Sequence, residues 1–220
     1  MQTPYAPSRR PYALRGRYQN AVRSGALTGV AAHTATAGHL FCWRWDDTTV
    51  DNLLGFVRYV GVRFELTTAF GTDQFVTLAM RRATSYTASH SGGTAIDVGG
   101  TVAGTGKRYY AQPASLLTSM RMGTTDALTA GTHTLDANPI SLVSFFAETV
   151  GDEFPSWESG LGPNGNAFAT LWDSRASGDH LEFDNDQGLI ISNEILMGAT
   201  GVGTLSVCIE WDEGVLGASQ

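Results

Sequence analysis

GTLSVCIEW, residues 203–211, sets apolar Leu205, Val207, Ile209 and Trp211 against Ser206, Cys208 and Glu210. That is a period of two, the period of a β-strand with one face buried. HLFCWRW (39–45) repeats the pattern with Phe41, Trp43 and Trp45 on one face. VRYVGVRFEL (57–66) turns Val60, Val62, Phe64 and Leu66 inward and Arg63 and Glu65 outward, and QFVTLAMRR (74–82) groups Val76, Leu78 and Met80. AFATLW (167–172) and GLIIS (188–192) read as further short strands.

Helical patterning is thin. TVDNLLGFVRYV (49–60) could open with a turn of helix and PISLVSFFAETV (139–150) could hold a short one, but neither sustains a 3.6 period. The 26 glycines are spread through the chain and punctuate the strands. No internal repeat stands out. The expected fold is all-β: a single β-sandwich or jelly-roll-like domain over residues 25–220, with an extended N-terminal arm over 1–24.

The arm is expected because MQTPYAPSRRPYALRGRYQN holds prolines, tyrosines and arginines and no acid. Proline lacks a donor and favours extended backbone, so such a segment needs a surface to lie on. Tyr5, Arg9, Arg10, Tyr12, Arg15 and Arg17 are candidate contacts to a neighbouring subunit, with Asp184 and Asp186 as candidate acceptors there. Nucleic acid is not the expected partner, although basic stretches with aromatics can track phosphates.

Charge is distributed unevenly. Residues 1–110 carry 12 basic and 6 acidic side chains, and residues 111–220 carry 2 basic and 15 acidic. The halves could pair within one fold or between subunits. Charged residues make up only 16% of the chain, against roughly 25% in an average soluble domain, and small neutral residues take their place. Cys42 and Cys208 read as buried free thiols, with a disulfide possible only if their strands are neighbours. No stretch approaches the roughly 18 apolar residues of a membrane span, and no signal peptide is visible.

Three motif readings fail. GGTVAGTGKRYY (99–110) resembles a phosphate-binding loop, but Thr101 stands where the first glycine is required, and Arg108 follows Lys107 where a hydroxyl is needed. In GDHLEFDNDQG (178–188), Glu182, Asp184 and Asp186 have calcium-loop spacing, yet Gly188 comes one residue late and Asn193 stands at the bidentate position. His33, His39, His90, His133 and His180 are scattered and form no close metal pair. No catalytic, cofactor or metal residue is therefore nominated. Trp157, in EFPSWESGLGPNGN (153–166), is the tryptophan free to stack on a sugar ring; Trp43, Trp45 and Trp211 read as core.

TASHSGGTAIDVGGT (87–101), RMGTTDALTAGTHTLDANPI (121–140), LWDSRASGDHLEFDNDQGLIIS (171–192) and VCIEWDE (207–213) occur in that order. Together they resemble a family of small proteins encoded among the structural genes of tailed bacteriophages, over roughly residues 20–213. The resemblance implies a non-enzymatic virion component, assembled in the host bacterial cytoplasm. A capsid decoration or cement protein is the leading expectation. Its partners would be itself, as a homo-oligomer such as a trimer, and the major capsid protein. The alternative is a tail-tip or tail-fibre module that binds a host-surface glycan through Trp157.

Overall fold

The computed structural model describes residues 12–46, 52–96, 107–108, 113–154 and 168–216. In chain order the strands are β1 (Tyr12–Arg23), β2 (His39–Trp45), β3 (Leu53–Thr68), β4 (Gln74–Tyr86), β5 (Thr94–Ala95), β6 (Lys107–Arg108) and β7 (Ser119–Met122). They continue with β8 (His133–Leu135), β9 (Ser141–Ala147), β10 (Glu153–Phe154), β11 (Ala169–Asp173), β12 (Leu181–Phe183), β13 (Gln187–Asn193) and β14 (Val202–Leu216). No helix occurs among the described residues.

The strands form two antiparallel sheets of seven. In the first, the order is β6–β1–β14–β3, and β12, β11 and β10 pair in succession along the far edge of β3. In the second it is β5–β7–β2–β13–β4, with β8 and β9 sharing the far edge of β4. The chain crosses from sheet to sheet: β1 and β3 lie in one, β2 and β4 in the other. On the return, β13 inserts between β2 and β4, and β14 between β1 and β3. Late strands slotting between early ones in both sheets make this a jelly-roll sandwich.

The alternating residues fill the space between the sheets. Phe41, Trp43, Trp45, Val60, Val62, Phe64, Leu66, Val76, Leu78, Met80, Leu205, Val207, Ile209 and Trp211 all belong to one buried cluster. Both stretches that hinted at helix hold strand among the described residues: β3 begins at Leu53, and β9 spans Ser141–Ala147. Tertiary pairing overrides a weak local preference.

The expected arm is corrected over its second half. Residues 12–23 are strand β1, hydrogen-bonded to β14 along nearly its whole length, from Tyr12↔Leu216 to Arg23↔Ser206. Tyr18 is fully buried and stacks on its cross-strand partner Trp211, with ring centroids 5.5 Å apart. Such a pair contributes roughly 0.5–1.5 kcal/mol beyond area burial. Lys107 and Arg108, from the glycine-rich stretch, form the short strand β6 against Gln19 and Tyr18, so this segment leads into sheet and not into a phosphate-binding helix. Cys42 and Cys208 lie on β2 and β14, in different sheets, and both are free.

Candidate functional site

Arg15 and Arg17, expected to reach a neighbouring subunit, have partners within their own chain. Arg17 donates to both oxygens of Asp212, Nε to Oδ1 at 2.8 Å and an Nη to Oδ2 at 3.1 Å. Arg58 Nε lies 3.6 Å from the same carboxylate. Arg15 pairs with Glu213, which also accepts from Ser115 Oγ, from the Leu116 N–H at 3.0 Å and from Trp211 Nε1 at 3.4 Å. Burial pushes the Glu213 carboxyl above its usual range, while Ser115 and Arg15 pull it back. Asp212 and Glu213 are both completely buried, so the arginines of β1 neutralise carboxylates inside the β1–β14 seam.

Asp184 and Asp186 sit in the turn between β12 and β13, where the Gln187 N–H donates to Asp184 O and Asp186 has φ 59°. Asp186 lies 3.3 Å from Arg44 of the same chain, while Asp184 is exposed. Tyr5, Arg9, Arg10 and Trp157 lie outside the described residues, as does the side chain of Tyr12.

The chemistry that the sequence left scattered converges on the outer side of the second sheet. His33 lies in the loop before β2, His39 begins β2, His90 lies in the loop after β4, and His133 begins β8. A bulge in β2 aims the central ring. Ser192 pairs with His39 and Ile191 with Phe41, so Leu40 is the extra residue. Leu40 and Phe41 both enter the main core, and His39 turns away from it. There it joins the side occupied by a second small cluster of Cys42, Ala83, Tyr86, Leu128 and Ile190.

Two glycines make the close approach possible. Gly38, at φ +77°, closes the turn before His39, and a Cβ there would lie 2.8 Å from His33 N. A Cβ on Gly131 would lie 2.1 Å from Ala88 O, so this glycine lets the loops carrying His90 and His133 touch.

One ring nitrogen from each of His39, His90 and His133 lies within 4.8 Å of the others. His39 Nδ1 is 2.8 Å from His90 Nε2. His39 Nε2 is 3.1 Å from Thr34 O, and His133 Nδ1 is 2.9 Å from Gly131 O. A carbonyl only accepts, so these two nitrogens carry the protons, leaving lone pairs on His39 Nδ1 and His133 Nε2. His133 Nε2 is buried with no hydrogen-bond partner, as is His33 Nδ1. Tyr86 Oη faces His90 Nδ1 at 3.5 Å.

Burial, followed by the neighbouring imidazoles, pushes His39 down to about 4 and His90 down to about 3. Burial also lowers His33 and His133. The four rings are therefore a neutral imidazole cluster at pH 7, rich in lone pairs and poor in protons. His180 stands elsewhere, its Nδ1 2.9 Å from Ser174 Oγ.

No family model matches the chain, and no curated protein matches it. Among solved structures, it is similar to VP1 of Trichodysplasia spinulosa-associated polyomavirus in complex with 3'-sialyllactose. That likeness has 9% identity and a TM-score of 0.28, covering 90% of this chain and 94% of that one. A second VP1 structure from the same virus, in complex with sialylated precision glycooligomers, gives 10% identity and a TM-score of 0.25, covering 93% and 98%. The fold assignment rests on the strand order of the two sheets themselves.

Proposed function

We propose that this jelly-roll protein is a non-enzymatic structural subunit of a tailed-bacteriophage virion, a decoration or cement protein on the capsid exterior that acts through contacts between copies. The resemblance of four sequence stretches to phage structural-gene products supplies the setting. The observation that carries the assembly role is an apolar face at a sheet edge. Phe75 on β4 and Phe146 on β9 are cross-strand partners with ring centroids 5.1 Å apart, and they are 54% and 49% exposed. Leu142 follows on the same face of β9.

The loop after β13 adds exposed Ile195 and Leu196, held beside β4 by Glu194 N–H donating to Thr77 O and Gln74 Nε2 donating to Leu196 O. Beyond β9 no further strand is paired among the described residues. Edge strands of soluble proteins usually carry charge that blocks pairing, and contiguous exposed apolar groups mark interaction surfaces. SLVSFFA, the sequence of β9, carries no charge, so a second copy is the occupant that the edge suits.

The test compares wild type with a Phe75→Ser, Phe146→Ser double variant. Sedimentation equilibrium gives the oligomeric state, and co-sedimentation with phage heads gives occupancy. The expected result is a wild-type oligomer that dissociates in the variant, with head occupancy falling in parallel and the unfolding midpoint little changed. A wild type that stays monomeric and ignores heads would overturn the reading. Glycan binding lost in Trp157→Ala would then favour the tail-tip module.

A further inference from the structure

The assembly reading leaves the histidine cluster unused. We propose that His39, His90 and His133 form a binding site for one divalent transition-metal ion, zinc by preference. The ion would tie the loops before β2, after β4 and before β8 together over the outer side of the second sheet.

The donor set fits. Imidazole nitrogens suit zinc, and three of them with a fourth ligand make a tetrahedral site. Zinc–nitrogen bonds of about 2.0–2.1 Å place tetrahedral ligands about 3.4 Å apart. The gaps here, 2.8 Å between His39 and His90 and no more than 4.8 Å within the trio, bracket that separation. Metal-bound histidines characteristically donate their other ring N–H to a carbonyl or carboxylate, which fixes tautomer and ring direction. Thr34 O and Gly131 O already play this part for His39 and His133.

Two lone pairs are thus preset, and only His90 must change. Without metal its Nε2–H donates to His39 Nδ1. On binding, that proton leaves Nε2 and Nδ1 takes one up, with Tyr86 Oη 3.5 Å away as acceptor, so net protonation is unchanged.

The orphaned His133 Nε2 is the second, independent sign. A buried polar atom without a partner carries a desolvation cost that a ligand would remove. His33 supplies a candidate for the fourth position: its ring centroid is 5.4 Å from that of His39, and its buried Nδ1 also lacks a partner. His39 and His90 are only 0% and 3% exposed, which suits a closed structural site better than one open to substrate.

The experiment uses the full chain, stripped with a chelator and titrated with Zn²⁺ by calorimetry and with Co²⁺ by visible absorption. Expected are one equivalent bound per chain, d–d bands of tetrahedral intensity, and an unfolding midpoint that rises with added zinc. His133→Gln, at the least buried ligand, should weaken binding by more than about 10-fold, and His90→Asn should do the same. His180→Gln, outside the cluster, should leave binding unchanged. Binding that survives both cluster variants, or no stoichiometric binding to the stripped wild type, would overturn the proposal. If a cluster variant fails to fold without metal, the wild-type stoichiometry and the Co²⁺ spectrum still decide.

Discussion

At the scale of single residues, the histidine cluster hangs on backbone positions that no motif marks. Gly38 is the sharpest. Its φ of +77° lies in the left-handed region, and an added Cβ would meet His33 N and Ala31 O at 2.8 and 2.9 Å, both backbone atoms that have little room to yield. Strain of this kind costs on the order of 1–3 kcal/mol. Gly38→Ala should therefore lower the denaturant midpoint by a corresponding amount with an unchanged m-value. Gly151→Ala is the control, since its φ is also positive but nothing lies within 4 Å of its added Cβ. Equal losses for the two would show that contact with the His33 turn contributes nothing beyond backbone strain.

The same scale explains why the site was illegible in the sequence. HLFCWRW assigns His39 to the inward face by strict alternation, and one unpaired residue, Leu40, reverses that assignment. His39 and His90 are 51 residues apart, and only the sheet brings them together.

At the scale of elements, legibility followed burial. β14 and the second half of β3 could be read because fully buried residues alternate there with less buried ones, which stamps a period of two on the sequence. β1 obeys the same rule but was hidden by composition. Three of its outward positions, Arg15, Arg17 and Arg23, are arginines, and Gly16 interrupts the inward row beside a register shift. A strand whose polar face is basic looks like a tail until the acids opposite it are known. β14 also carries a prediction. It is flanked on both edges, by β1 and by β3, from Ser206 to Val215. Its central amides, from Leu205 to Asp212, should open only with the whole molecule and exchange slowest in native-state hydrogen exchange. The amides of β9, paired on one side only, should exchange through smaller openings. Protection of β14 no greater than that of β9 would contradict the sheet order.

At the scale of the whole molecule, part of the charge asymmetry along the chain resolves into internal pairing among the described residues. Arg15 with Glu213, Arg17 and Arg58 with Asp212, Arg44 with Asp186 and Arg81 with Glu194 each join the basic first half to the acidic second half. Residues 12–23 belong to the fold as β1, and two truncations test their part in it. Deleting residues 1–11 removes Tyr5, Arg9 and Arg10 but leaves the β1–β14 ladder whole, so the unfolding midpoint should hold while any contact made by those residues to a neighbouring subunit is lost. Deleting residues 1–23 removes β1 entirely. It exposes Trp211 where Tyr18 stacked, takes Arg15 from Glu213 and takes Arg17 from Asp212. Leaving a buried carboxylate without its cationic partner costs up to about 3–5 kcal/mol, a large share of a domain's total stability of about 5–15 kcal/mol, and this deletion does so at Glu213 while also removing a ladder. The shorter chain should lose its cooperative thermal transition and its native near-ultraviolet circular dichroism. If it instead unfolds cooperatively at the wild-type midpoint, β1 is dispensable and residues 12–23 behave as an arm after all.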